Sequence, residues 1–514
     1  MPASTHAEIP TASGRSLQWV QAIVLAIVYV IPVVFALRFD GVNDTDVWWH
    51  LAVGDWITQH RAIPHTEPFS ALTAGKPWEA YSWLFELIVF WLHQKFGLLG
   101  IVLYSSTMVI AITAAVHHLL RRLNADFALG IGITILAMYT MGRLYTPRPW
   151  LITILLFVLE LDILMWARKT GETRELWWLP LIFAVWVNIH IQFADGLVVL
   201  GIALAEPIVA DRFPAIQSKL RVRRMMIVFL ACVAATFVNP YGLRIYKIAY
   251  DLVSQAASLD QLIELSAISF RNLDDWCVLF FALAGTYVLA KAKRPVFFEC
   301  LLLVSSIIIS FHAQRDIWML AVVGSAILVA NLNENLSNRL TVKASTAPIV
   351  AVATVLFAAI EFAAAGVNNA RLQQKLENDL PVRAVETIKQ QGWSGPIYND
   401  YNWGGFLIWT LHKPVSFYGR NTVFGVEEVL RSNATWNGYP GWDSDPVLLR
   451  ANLIISPKGA PLVQLLRLQP CLELAYQDQL AAVFIDRRDS KAETAPVTTP
   501  FCAAREKRPA DSAK

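Results

Sequence analysis

The sequence predicts an α-helical polytopic membrane protein with about eleven spans, an amphipathic-helical first extracytoplasmic loop and a small C-terminal α/β domain. Composition points there first: 55% of the 514 residues are hydrophobic and only 16% are charged, whereas a soluble protein is about a quarter charged. Apolar runs then succeed one another from residue 17 to residue 366, most of them separated by short polar breaks. Finally, from about Asn368 the chain changes to the mixed pattern of a soluble α/β domain.

Taken in order, residues 1–16 form a polar cytoplasmic tail, expected to be disordered. Leu17–Leu37 is about the length of a bilayer span, and no small-residue cleavage site follows it, so it reads as an uncleaved signal anchor. Residues 38–97 are the long outward loop. Further spans are expected near Leu98–Leu119, Phe127–Met141, Trp150–Trp166, Trp177–Ile189, Gly196–Val209, Met225–Val238, Cys277–Leu289, Val296–Phe311, Ile317–Ala330 and Pro348–Ala365. The transmembrane domain thus covers 17–366, the α/β domain 367–490 and a flexible tail 491–514.

Lys and Arg set the orientation. One alternate set of breaks holds Arg121 and Arg122; Arg168, Lys169 and Arg174; Arg212, Lys219, Arg221, Arg223 and Arg224; Lys291, Lys293 and Arg294; and Arg339 and Lys343. Short, densely basic breaks belong to the cytoplasmic side, where they read as plain charged turns. The N-terminus is then inside and the C-terminal domain outside. Nearly every unusual polar stretch falls on the outer side, so chemistry is expected there.

In the α/β domain, GPIYND, KPVSFYGR, ANLIISP and LAAVFIDRR read as strands, and PLVQLLRL as a helix between the last two. Pro381 suits the first turn of a helix, and Trp403-Gly404-Gly405 reads as a tight helix start. With no G-x-G-x-x-G or P-loop, no nucleotide site is claimed, and no nucleic-acid partner is expected. Cys232, Cys277 and Cys300 lie in apolar runs and read as buried thiols. Cys471 and Cys502 would pair as one disulfide if they face an oxidising compartment.

The outward loop concentrates Asp40, Asp44, Asp46, His50, His65, Glu67, Glu79 and Glu86. A helix capped by Asp44 or Thr45 would run from Asp46 toward Gln59, with Trp49, Val53, Trp56 and Ile57 as its apolar stripe. Asp46 and His50, four apart, share that side. Either they handle protons, or Asp46 only caps the helix and His50 bonds a carbonyl. A second helical pattern carries Trp83, Leu84, Leu87, Ile88, Trp91 and Leu92, with tryptophans suited to the headgroup level. Glu79 and Glu86, seven apart, should share a face near it. Each could be a general base, a metal ligand or a salt-bridged structural group. Arg143, Arg148, Arg244 and Arg315 sit in other outward loops, where guanidinium forks either snorkel or clamp a phosphate. Asn188 and His190 read as satisfied structural residues.

The runs DTDVWWHLAVGDWITQHRAIPHTEPFS and GKPWEAYSWLFEL resemble the first periplasmic loop of bacterial integral-membrane GT-C-type glycosyltransferase-like proteins. RLYTPRPWLIT, WVNIH, VNPYGLRIY, AQRDIWMLA and PVRAVETIKQQGWSGPIYNDYNWGGFLIW extend the resemblance over most of residues 17–488. It implies a GT-C-like fold in the bacterial inner membrane. The implied activity is inverting transfer of a sugar from a polyprenyl-phosphate-linked donor to an extracytoplasmic glycan, lipid or protein acceptor. Carried over, Asp44 and Asp46 form a D-x-D pair that acts as base or holds a divalent cation (Mg or Mn), with Asp46 the leading residue. His50 and Glu86 are further catalytic candidates. The loop arginines would hold the lipid phosphate, with Trp48, Trp49, His65 and Glu79 also on the donor. NIHIQF lacks the His-Gly pair associated with many relatives, leaving a role for His190 open. A polymerase or ligase of lipid-linked glycans is the nearest alternative, distinguished by the size of the unit transferred. A non-catalytic transporter or assembly factor is the other. Polar residues at span ends rather than mid-membrane argue against transport.

Overall fold

Each apolar run read as a span coincides with a helix. They are Ala12–Arg38, Leu98–Leu123, Phe127–Thr140, Trp150–Thr170, Leu179–Trp186, Phe193–Arg212, Val222–Ala235, Leu273–Lys291, Phe297–His312, Ile317–Asn331 and Ala347–Ala364. The computed structural model describes residues 12–38, 41–213, 215–256, 265–293, 296–332, 346–420, 423–487 and 499–507. Asp40, Arg294, Arg339, Lys343 and most of the tail after Arg487 lie outside the described residues. Among the described residues, six helices are long and apolar enough to cross a membrane: Gln18–Leu37, Leu98–Leu123, Trp150–Thr170, Phe193–Arg212, Leu273–Lys291 and Ala347–Ala364. The helix starting at Ala12 takes in the end of the expected N-terminal tail.

The chain divides into two compact units. The first comprises Met1–Asp40, Val102–Tyr250 and Asp260–Val367. At its centre is Ile317–Asn331, buried from Ile317 through Val329. A helix that is apolar on every side belongs inside a bundle. By contrast Val352, Val355, Leu356 and Ile360 of Ala347–Ala364 are exposed, the side a bilayer would cover. The breaks expected as plain charged turns are more than that. Arg168, half-buried, donates to the buried Glu206 at 2.6 and 2.9 Å and to the buried Glu299 at 2.9 Å. Arg122 donates to Asp162 at 2.5 Å. Acids from helices distant in sequence find these arginines only in the folded bundle, and a charge is kept inside only when paired. Of the three thiols, Cys232 is buried, Cys277 half-buried and Cys300 exposed, because an apolar run does not say which of its sides faces the bundle.

The second unit joins Gly41–Ile101 to Asn368–Lys514, with Asp251–Leu259. Its sheet has the order β1-β2-β4-β3, with β1 Ile397–Asn399, β2 Leu453–Pro457, β3 Leu472–Gln477 and β4 Ala481–Asp486. β1 runs parallel to β2, and the β2–β4 and β4–β3 pairs are antiparallel. Tyr398, Leu448, Ile454, Leu462, Phe484 and Phe501 build its core. β3 was not anticipated, and KPVSFYGR is not a strand of this sheet. Its Val415 instead pairs with the loop that precedes Leu98: Val415 N–H donates to Phe69 O at 2.9 Å and Ala71 N–H to Val415 O at 2.9 Å. Backbone groups must be satisfied somewhere, and here the loop does it. The tail is not loose throughout. Pro500–Glu506 is helical, Cys502 is disulfide-bonded to Cys471, and the buried Arg505 donates to Asp486 at 3.0 Å.

Within the loop two helices pack together, the first insert helix Val47–His60 and the second Trp83–Phe96. Gly54 sits at their closest approach, where a Cβ would lie 2.5 Å from both Glu86 O and Phe90 Cβ. Helix propensity alone would make Gly54→Ala stabilising by about 1 kcal/mol. We expect the opposite, a net loss of about 1–3 kcal/mol, since backbone cannot yield to the new methyl. A thermal-shift measurement on purified protein checks this, and a raised Tm contradicts the packing described.

Candidate functional site

The loop chemistry gathers inside the second unit, on three segments. The first insert helix begins after Asp46, which sits at the N-cap position without a side-chain cap bond; Asp44 Oδ1 accepts the Asp46 N–H at 2.9 Å. The helix start therefore falls one or two residues later than the N-cap expected from the sequence. Trp48, Trp49 and His50 occupy its buried first turn. Glu86 lies in the first turn of the second insert helix. The third segment is Ser416–Arg420, whose Arg420 reaches Trp49 of the first helix and Glu86 of the second.

The Nδ1 of His50 is 3.3 Å from Glu86 Oε1, and the ring lies tilted against Trp49 (centroids 3.6 Å apart) with Phe85 edge-on at 4.9 Å. Glu86 is fully buried, and its Oε2 has no hydrogen-bond partner. Burial pushes its carboxyl up to about 8, with Arg420 pulling the other way. The Arg420 Nη1 lies 3.8 Å from Glu86 Oε1, and its Nη2 donates to Glu79 O at 2.5 Å. Its guanidinium faces Trp78 at 4.5 Å, Tyr81 at 5.0 Å and Trp49 at 5.1 Å, a cation–π cage. Alongside, Tyr418 donates to Glu67 Oε2 at 2.7 Å, while Phe69 and Ser70 N–H groups bond Glu67 Oε1 at 2.6 and 3.1 Å. Burial raises the Glu67 carboxyl, against the pull of these bonds.

Asp46 and Asp44 are only half-buried, unlike His50 and Glu86. Gly419 faces Asp46 so closely that a Cβ there would strike its carboxylate. Glu79 precedes the second insert helix, which starts at Trp83, so it shares no helical face with Glu86; its backbone carbonyl accepts from Arg420. His65 is exposed in a hairpin where its carbonyl accepts the Trp78 N–H at 3.0 Å. Trp48 packs edge-on against Phe406 at 5.3 Å.

The arginines of the other loops belong to the first unit. Arg143 pairs with Asp274 at 2.9 Å and with Asp275, and donates to Gln314 at 3.2 Å. Arg315, next in that turn, is 3.7 Å from Asp316. Arg148 lies over Trp150 at 5.2 Å. Arg244 opens the helix Arg244–Ala256 and is exposed. Asn188 donates to Ala184 O and Val238 O at 2.8 and 2.7 Å, and His190 Nδ1 is 3.0 Å from Thr153 Oγ1, as structural residues would be. Among the described residues, no group of three or more His, Cys, Asp or Glu side chains is placed to hold a metal ion.

Arg420 and Tyr418 are absent from the residues singled out by sequence. The available signal was an arginine and a tyrosine in the otherwise apolar run PVSFYGR, masked by its reading as a strand.

No protein-family model and no curated protein matches the chain. Solved structures do. The archaeal oligosaccharyltransferase AglB from Archaeoglobus fulgidus, in complex with an inhibitory peptide and a dolichol-phosphate, matches at 11% identity and TM-score 0.49, over 87% of this chain and 69% of that one. The apo form of the Archaeoglobus fulgidus oligosaccharyltransferase matches at 12% and 0.46, over 86% and 69%. ArnT from Cupriavidus metallidurans, bound to undecaprenyl phosphate, matches at 13% and 0.48, over 92% of this chain and 98% of that one.

Proposed function

We propose that this protein is a membrane glycosyltransferase that moves a sugar from a polyprenyl-phosphate-linked donor to an acceptor outside the bacterial inner membrane. The observation that carries the reading is Asp46: a half-buried carboxylate at a helix N-terminus, held over Gly419 and backed by the buried His50–Glu86–Arg420 cluster. In the transfer, the acceptor hydroxyl gives its proton to Asp46 as its oxygen bonds the sugar carbon. The bond from that carbon to the phosphate oxygen breaks, and the phosphate leaves with the electron pair, its charge met by arginine. His50 and Glu86, being sealed, position the helix carrying Asp46 rather than touch substrate. Asp44 and Asp46 supply at most two carboxylates, so a divalent cation there would complete its shell with phosphate oxygens and water. The basic breaks support an N-terminus inside. The Cys471–Cys502 disulfide supports a C-terminal domain in an oxidising compartment.

The test is Asp46→Asn in folded, inserted protein assayed with a polyprenyl-linked sugar donor. Transfer is expected to fall by about 10²–10⁴-fold. Unimpaired transfer removes Asp46 from the mechanism.

A further inference from the structure

A cavity of about 580 Å³ opens in the second unit, away from the acid cluster's buried core. This is within the roughly 300–1,000 Å³ of small-molecule sites. Its aromatic walls are Trp48 and Phe406, edge-to-face at 5.3 Å, and Trp409, with the His93 ring edge-on to it at 5.3 Å. Two polar atoms of these walls are buried without a hydrogen-bond partner: the Trp48 indole N–H and His93 Nδ1. Trp48 itself is only 2% exposed. Buried donors and acceptors are almost always paired, so two unpaired atoms on residues lining the cavity make it a candidate place for a ligand's own donors and acceptors. Burial also keeps the His93 imidazole neutral, below its ordinary range.

The rim adds Gln373, Glu386 and Lys389, all exposed. One acid against one base leaves no net charge to attract a phosphate or a carboxylate. We propose that this cavity binds a neutral saccharide, its ring face on Trp409 and its hydroxyls on Trp48 Nε1, His93 Nδ1 and the Gln373 amide. A sugar ring combines what these walls require, an apolar C–H face for aromatic rings and a dense edge of groups that both donate and accept hydrogen bonds. That the saccharide is the acceptor glycan rests on the transfer reading above; that a saccharide binds does not.

The experiment is saturation-transfer NMR and tryptophan-fluorescence titration of the full chain in nanodiscs, using N,N′-diacetylchitobiose, cellobiose and maltotriose as probes. Binding of at least one is expected, weakened about tenfold or more by Trp409→Ala, the loss of one aromatic anchor. Ala370→Met, at an exposed wall position, is expected to weaken it without touching the core, which covers the case that Trp409→Ala misfolds. No binding by any probe overturns the site, as does equal binding in the Ala370→Met protein. Binding of neutral tripeptides in place of the sugars, lost in the same variants, overturns the saccharide assignment. If saccharide binding behaves as expected while the wild-type protein transfers no sugar from a polyprenyl-linked donor, the cavity stands and the transferase reading falls. The converse pattern removes the cavity alone.

Discussion

Replacing Arg420 with alanine should lower the stability of the second unit by about 3–5 kcal/mol, the penalty for stranding a buried partner. Arg420 is 4% exposed and is enclosed by Trp49, Trp78 and Tyr81. Its loss removes a donor from Glu79 O, empties an aromatic cage and leaves Glu86 with no cation in reach. Because three loop segments converge on this one guanidinium, the damage should register as lost near-ultraviolet dichroism of the tryptophans as well as a lower Tm. Arg420→Lys keeps the charge but not the planar fork that stacks on the rings, so an intermediate Tm is expected. A wild-type Tm in the alanine variant would mean that Arg420 does not hold the loop to Ser416–Arg420.

The second large effect is on pH dependence. The Glu86 carboxyl is raised from 4.5 to about 8 by burial. The folded state therefore binds a proton that the unfolded state has lost throughout that window. Stability from this group is present in full below about pH 4.5, declines as pH rises toward 8, and is flat beyond it. Each pH unit across the window is worth up to about 1.4 kcal/mol. Glu86→Gln keeps the shape and a hydrogen-bonding partner for His50, and it cannot ionise. Its Tm should match wild type near pH 5 and exceed it at pH 8 to 9. Glu67, also raised, keeps some slope in both proteins, so the difference between them is the quantity to read. A constant difference across that range would place the titration elsewhere.

The helices were legible because their signal is local. A run of apolar residues of bilayer length forms a helix in any hydrophobic surrounding, since the backbone must satisfy its own groups. The same holds for the two loop helices and for β1, β2 and β4, whose patterns lie within a few residues. KPVSFYGR misled for a physical reason: β-like composition reports a half-buried extended chain, not the partner that completes its hydrogen bonds. β3, whose exposed and half-buried residues give little alternation, left a weaker trace.

The site shows the same division. The aspartates, the imidazole and the glutamate of the loop could be picked out as unusual residue types near a membrane surface. Their environments could not. His50 and Glu86 look as catalytic as Asp46 in sequence, yet the fold seals the first two and leaves Asp46 half-exposed. What the sequence determined by itself was the membrane class, the helical content and the concentration of acidic and aromatic residues in one long loop after the first apolar run. The tertiary structure alone decided that residues 41–101 fold with residues 368–514, that Arg420 is the cation facing Glu86, and which acids meet solvent. Pairing across more than 300 residues leaves no periodicity to read, because burial and charge matching are set by which surfaces meet in space.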